Sequence, residues 1–292
     1  MAETTVSIPT RLLVLGMAHE DGIIATGEVN AVAEACGQSA EQVRSCLRRL
    51  VAEDLFVREG TGRSSSYRPT PAGLTALSTT IGRTRLAYAQ DAAGRGWDRQ
   101  WRLVAFAVAE RERAARDAFR DRLISLGGAA VQGGLYASPH PWHDDVLDTA
   151  RELGIDANVT VATTDDLVVA GERDPRQLAS TLWAVDDLGR RYDDFLTQFS
   201  PVLDALSRMR QRKERLPDAA FLPGALAMAV AFNACFDSDP LLPPELLPRP
   251  WPGRAARELL VSSRRLALQL RKEHGRPALF RATYDEAIET IS

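Results

Sequence analysis

The chain has 292 residues, 45% of them apolar and 26% charged, with a formal net charge of −3. This composition excludes wholesale disorder, and the charge gives no whole-chain sign of a nucleic-acid binder, so any such contact has to come from a local cluster of basic residues. Three cysteines, Cys36, Cys46 and Cys235, are odd in number and far apart, which excludes a disulfide scaffold and fits a reducing cytoplasm. The opening MAETTVSIPTRLL has no basic segment leading into an apolar one. The longest apolar run, residues 221–236, is interrupted by Pro223 and Asn233 and is too short to span a bilayer. A cytoplasmic protein with no membrane partner is expected, and its length predicts two or three domains.

Residues 11–18 form the first helical run, closed by a turn at Asp21-Gly22. Val29, Val32, Ala33 and Cys36 keep helical spacing, so residues 28–36 are predicted as a short helix that Gly37 breaks. Ser39 starts the next helix, with Gln42 three residues on as its capping-box partner. The apolar stripe of that helix is Val43, Cys46, Leu47, Leu50 and Val51. Its opposite face carries Glu41, Arg44, Ser45 and Arg48, with Arg49 on the flank. Two short helices around a four-residue turn form a helix-turn-helix pattern. Two β-prone pieces, Leu55-Phe56-Val57 and Tyr67-Arg68-Pro69, flank a Gly- and Ser-rich turn and predict a hairpin in the position of a wing. Thr70 then caps a helix that has Pro71 at its first position. Residues 1–80 are thus predicted as a winged-helix domain, followed by a polar linker at 81–98.

At Trp101 the period changes to a strand-like run ending near Val108. A helix follows over 110–126, with Ala114, Ala118, Leu123 and Leu126 on its inner side. Short strands at 129–132 and 135–138 meet at Gly133-Gly134, a helix near 143–153 ends at Gly154, and 158–162 is a last strand. The order βαββαβ predicts a ferredoxin-like domain over 99–172. Residues 173–292 are predicted as a helical domain, opened by Asp174 as N-cap and Pro175. In it, Leu182, Trp183, Leu188, Tyr192, Phe195, Leu196 and Phe199 line one long helix. A second helix covers 224–236, and a Pro-rich crossing at 239–253 leads into a third at roughly 254–274. The expected fold class is therefore α+β, with three parts.

Three stretches in the right order resemble the PaaX family, regulators of phenylacetate-type aromatic catabolism. They are Val43–Val51 continuing through Gly62-Arg63-Ser64-Ser65-Ser66-Tyr67-Arg68, then Trp101-Arg102-Leu103-Val104-Ala105-Phe106 with Gly134-Leu135-Tyr136-Ala137-Ser138-Pro139-His140-Pro141, and then Asp239-Pro240-Leu241-Leu242-Pro243-Pro244-Glu245-Leu246-Leu247-Pro248 running into Trp251-Pro252-Gly253. The resemblance implies a homodimeric transcriptional repressor on a palindromic double-stranded operator. It also implies a Cas2-like central domain and release from DNA by a small-molecule effector, an aryl-acyl-CoA (phenylacetyl-CoA) in the best-known branch.

In that setting Arg44, Arg48 and Arg49 are candidates for phosphate contact and for pairing with guanine in the major groove. Ser39, Gln42 and Ser45 are candidates for phosphate or base contacts beside them. A solvated helix gives the same pattern, and only the helix-turn-helix context favours DNA. Arg63, Ser64 and Arg68 on the wing, with Ser65 beside them, are expected at the adjacent minor groove or backbone, and Tyr67 in hairpin packing. A Cas2-like nuclease is the enzymatic alternative. It needs a carboxylate at the end of the first strand to hold a metal. Family members carry Asp after the strand's Phe where this chain has Ala107, and Glu110 is explained by the helix macrodipole. His140, His143, Asp144 and Asp145 fit a polar loop entering a helix better than a metal cluster, and Cys235 has no neighbouring His to activate it. Neither an enzyme nor a cofactor is expected. Family members have a His/Arg-rich stretch before the Asp-Pro-Leu-Leu-Pro motif, whereas this chain has Val230-Ala231-Phe232-Asn233-Ala234-Cys235-Phe236-Asp237. That departure leaves open a regulator of another pathway, such as secondary metabolism, with a non-CoA ligand. No effector-binding residue is singled out.

Overall fold

A computed structural model describes residues 8–19, 21–62, 65–94 and 96–272. In chain order the elements are α1 (Thr10–Gly16), β1 (Ile24–Ala25), α2 (Thr26–Ala35), α3 (Ala40–Ala52), β2 (Phe56–Glu59), β3 (Ser66–Pro69), α4 (Pro71–Ala93) and β4 (Trp101–Phe106). They continue as α5 (Arg113–Ser125), β5 (Ala129–Gln132), β6 (Leu135–Ser138), α6 (His143–Glu152), β7 (Val159–Thr164), α7 (Pro175–Leu182), α8 (Val185–Gln211), α9 (Asp218–Phe236) and α10 (Pro252–Leu270). Two compact units result. The first takes the described residues up to Tyr88, Tyr192–Phe236 and those from Gly253 onward; the second takes Ala89–Arg191 and Asp237–Pro252.

In the first unit, Gly37 at φ +71 ends α2 in a conformation that L side chains rarely adopt. Two residues later the capping box forms as its sequence pattern dictates. Ser39 Oγ accepts the Gln42 N–H at 3.2 Å and Gln42 Oε1 accepts the Ser39 N–H at 2.7 Å. Val43, Cys46, Leu47 and Leu50 of α3 are buried against Leu13 and Val14 of α1, Met17 just after it, and Val29 and Val32 of α2. Each such side chain contributes roughly 1.5–3 kcal/mol by leaving water. The same core continues into Leu206, Phe221, Leu226, Leu266 and Leu270, which come from α8, α9 and α10. Beside it lies a three-stranded antiparallel sheet in the order β1-β3-β2, with Phe56 opposite Pro69 and Glu59 opposite Ser66. The start of α4 docks onto the corner between α3 and β2. Thr70 Oγ1 donates to the Asp54 carbonyl at 2.6 Å and accepts the Gly73 N–H at 3.0 Å. Gly73 lies so close that a Cβ there would sit 2.0 Å from the Leu55 carbonyl oxygen.

In the second unit the sheet order is β5-β6-β4-β7, all antiparallel, which is the ferredoxin-like arrangement of βαββαβ. Period-2 alternation along β4 sends Val104 and Phe106 to one face and Trp101 and Leu103 to the other. The first face is covered by α5 and α6 through Phe119, Leu123, Val146 and Ala150, with Phe106 edge-on to Phe119 at 5.1 Å. The second face is covered by α7 and by the Pro-rich stretch, which contributes Leu242, Leu246 and Leu247. That stretch is held by polar contacts as well: Gln90 Nε2 donates to the Leu241 carbonyl at 3.2 Å, and the Glu245 carboxylate accepts the Gly96 N–H at 3.1 Å.

Four elements differ from the sequence expectation. Helix α4 runs unbroken through most of the expected linker, because burial of Ala87 and Gln90 outweighs weak local propensity. The inner side of α5 is Ala115, Phe119, Leu123 and Leu126, while Ala114 and Ala118 are exposed; alanines mark a buried face poorly, and the aromatic ring decides. The long helix expected from Leu182 to Phe199 is two helices. Trp183 between them is extended, its ring stacks on Trp101 at 6.2 Å, and its Nε1 donates to the Gly127 carbonyl at 3.1 Å. Helix α9 begins at Asp218 and includes Pro223, whose missing N–H removes one hydrogen bond near the helix start.

Candidate nucleic-acid interface

The stripe that buries Val43, Cys46, Leu47 and Leu50 turns the other side of α3 to solvent. Gln42, Arg44, Arg48 and Arg49 are all exposed there, and Ser45 is half-buried between them. One carboxylate organises two of the arginines. Glu41 accepts from Arg44 Nη2 at 2.6 Å and Nε at 3.1 Å, and from Arg48 Nη2 at 3.2 Å. The Arg44 guanidinium, by hydrogen bond and by charge, holds the Glu41 carboxyl below its usual range, so it stays ionised. Three arginines against one glutamate leave this helix face positive, with the Glu41 carboxylate bridging two of the guanidiniums. Ser39 and Gln42 are placed at the same end of α3, but each already spends side-chain hydrogen-bonding capacity on the capping box. Their first role is to start the helix.

The hairpin β2/β3 presents its outer face beside this helix within the same unit. Val57 and Arg68 are opposite each other and exposed, and Arg68 forks onto the Glu59 carboxylate at 2.8 and 3.1 Å. Arg63 and Ser64 lie outside the described residues. Ser65, expected at a DNA backbone or groove, is 3% exposed instead. Its Oγ lies 2.9 Å from Thr26 Oγ1 and 2.9 Å from the Gly62 carbonyl, while its carbonyl accepts the Thr26 N–H at 3.1 Å. Ser65 therefore ties the turn end of the hairpin to the first turn of α2. Tyr67 is buried at 7% exposure, in hairpin packing as expected. Arg58, exposed on β2, was not singled out from the sequence, because strand alternation puts it on the face of the buried Phe56; only its charge was a signal.

Comparison with known proteins bears on the whole arrangement. Residues 94–179 match the family model described as the PaaX protein central Cas2-like domain, and residues 183–275 match the PaaX-like protein C-terminal domain. The chain belongs to the PaaX family. It is 27% identical over 246 residues to the transcriptional repressor PaaX of Escherichia coli (strain K12), covering 84% of this chain and 75% of that protein. Its fold is similar to that of the uncharacterized protein Rv0674 from Mycobacterium tuberculosis, with a TM-score of 0.53, 19% identity, and coverage of 89% of this chain and 94% of that one.

With the PaaX family shown, the central domain can be compared with the Cas2-like chemistry it raised. At the end of β4, Ala107 and Val108 border a cavity of about 310 Å³ with Arg116, Asp117, Arg120 and Tyr136. Arg116 pairs with Glu110 at 2.8 Å, and Arg120 with Asp121 at 3.1 Å. Among the described residues no three His, Cys, Asp or Glu side chains are grouped to hold a metal ion. His140 directs Nε2 to the Pro240 carbonyl at 3.0 Å, and burial, with Arg102 adding, pushes the His143 pKa down. Burial likewise pushes the Cys36 and Cys46 thiols up, so both are neutral near pH 7. Among the described residues no helix is long and apolar enough to cross a membrane.

Proposed function

We propose that this PaaX-family chain is a transcriptional repressor whose winged helix-turn-helix, α1 to α3 with the β2/β3 hairpin, binds operator DNA. The observation that carries this reading is the exposed arginine face of α3 beside an uncovered hairpin, in a chain similar to a protein named as a repressor. In the proposed mechanism Arg44, Arg48 and Arg49 enter the major groove and exchange Glu41 for phosphate or guanine. Arg68 and the hairpin turn, with Arg63 and Ser64, meet the adjacent backbone. A homodimer places two such helices about 34–36 Å apart on a palindrome, and a ligand that prefers a different spacing releases it. No enzymatic step belongs to this mechanism.

For the ligand, one observation favours a non-CoA effector over an aryl-acyl-CoA. The larger side chains of the stretch 230–237 that replaces the family's basic residues are buried: Phe232, Cys235 and Phe236 are each 5–6% exposed, and Phe232 packs on Phe195 at 5.7 Å and Phe236 at 5.3 Å. That segment carries no basic side chain to form an ion pair with CoA phosphates. The test is fluorescence anisotropy of the purified chain on its own upstream region against a scrambled duplex in moderate salt, with and without phenylacetyl-CoA and free CoA. Salt-sensitive binding specific to the upstream region is expected, undisturbed by either thioester or CoA. Equal affinity for both duplexes overturns the repressor reading, and release by phenylacetyl-CoA alone restores the CoA effector.

A further inference from the structure

Helices α8, α9 and α10 do not close completely on one another. Between them lies a cavity of about 190 Å³ lined by Leu206, Phe221, Met228, Leu260, Ser263 and Arg264 among others, the last two being its only polar lining residues among the described residues. An apolar protein cavity of roughly 150 Å³ holds a benzene molecule. This one therefore has room for one ring or a short branched chain, and not for a nucleotide. Ser263 is 3% exposed, and its hydroxyl has no hydrogen-bond partner among the described residues, a state that folded proteins rarely leave to a buried hydroxyl. The guanidinium of half-buried Arg264 supplies positive charge in the same lining. Gly224 belongs to the same lining, and a Cβ there would meet nothing within 4 Å.

The position of the cavity gives it a route to the DNA-binding elements. Phe221 and Leu206 line it and also belong to the core that contains Val29 and Val32 of α2, and α9 packs directly on α2. A molecule that pushes α9 away from α8 and α10 therefore displaces the support of the helix that precedes α3. Packed cores respond to such insertion by discrete rearrangement rather than by smooth compression.

We propose that this cavity is the effector site, and that it takes a small apolar monocarboxylate: the ring or branched chain fills the apolar volume, and the carboxylate pairs with Arg264 and the Ser263 hydroxyl. Its regulatory consequence rests on the repressor reading above; its ligand binding does not.

The experiment uses the full chain and three probes of this size, benzoate, cyclohexanecarboxylate and 4-methylpentanoate, with benzyl alcohol as the uncharged counterpart. Binding is followed by isothermal calorimetry, and each variant is checked by thermal denaturation. At least one carboxylate is expected to bind saturably at one site per chain. Gly224→Leu is expected to abolish that binding with no fall in the denaturation midpoint. Arg264→Gln is expected to weaken the carboxylate by about tenfold while leaving benzyl alcohol unchanged. If no carboxylate saturates up to its solubility, or if Gly224→Leu folds and binds as the wild type does, the site assignment is overturned. The bound carboxylate is then added to the chain on its own upstream duplex. Release supports the coupling, and unchanged anisotropy with the cavity filled overturns the coupling alone. Failure of the ligand-free chain to prefer its own duplex is a failure of the repressor reading, and the calorimetry is unaffected by it.

Discussion

The two antiparallel sheets of this chain are built by the same pairing rules and treated in opposite ways. The four-stranded sheet is covered on both faces, by α5 and α6 on one side and by α7 with the Pro-rich stretch on the other. In the three-stranded sheet Ile24, Phe56 and Tyr67 are buried, while Val57, Glu59 and Arg68 are left in water. A covered sheet holds shape, and a small sheet open on one face, beside an exposed arginine helix, is where a long, rigid, negatively charged partner can lie. Sheet chemistry alone does not separate the two; the difference lies in what the rest of the chain brings to each face.

The largest effect is expected where both faces are filled. Trp101→Ala removes a ring that touches Trp97 and Trp183 and should cost about 3–5 kcal/mol in urea denaturation; a loss under about 1 kcal/mol would mean that this face is not closed. Next, the double substitution of Arg44 and Arg48 by Ala should weaken binding to the upstream duplex by about 1–3 kcal/mol and flatten its salt dependence, with the denaturation midpoint unchanged. A drop in midpoint instead would assign these arginines to folding.

Ser65→Ala sits between the two cases, because it leaves Thr26 Oγ1 without its buried partner at the turn end of the hairpin. It should cost about 1 kcal/mol of stability, read by the same denaturation curves. Glu41→Gln removes the carboxylate that competes for Arg44 and Arg48, so DNA binding should tighten a few-fold, measured by anisotropy at low salt. The smallest effect concerns pH. Burial lowers the His143 pKa in the folded chain, so below its ordinary value the unfolded chain binds more protons, and stability falls as pH drops from 7 towards 5. The slope of that fall should be shallower in His143→Gln, measured by denaturation across this range.

Local chemistry accounts for most of what was legible beforehand. The capping pairs Ser39 with Gln42, Thr70 with Gly73, and Asp174 with Arg176 and Gln177 satisfy backbone groups within three residues, so the sequence pattern alone locates those helix starts. The ferredoxin-like order and the PaaX family were legible for the same reason, through short strands and a compact motif. Features set by distant partners were not. Whether α4 continues past residue 80 depends in part on Arg83 reaching the Phe236 carbonyl, 153 residues away. The break at Trp183 depends on a pocket made by Trp101 and Gly127. Of the candidate contact residues, Arg44, Arg48, Arg49 and Arg68 are exposed as their spacing required. The inward turn of Ser65 depends on Thr26, 39 residues earlier. The cavity between α8, α9 and α10 was equally hidden, since α9 is apolar on every side and shows no preferred face.

The close approach at Gly73 has a consequence for how this chain can change over generations. In a library of single-codon substitutions, every replacement at position 73 puts a carbon atom 2.0 Å from the Leu55 carbonyl oxygen, far inside van der Waals contact, so α4 would have to leave the corner it caps. That position should be emptied by selection even though it touches no partner. The arginines of α3 face open solvent and can drift singly without unseating anything beneath them. Divergence can therefore rewrite the outer face of that helix while the corner where α4 docks beside it stays frozen.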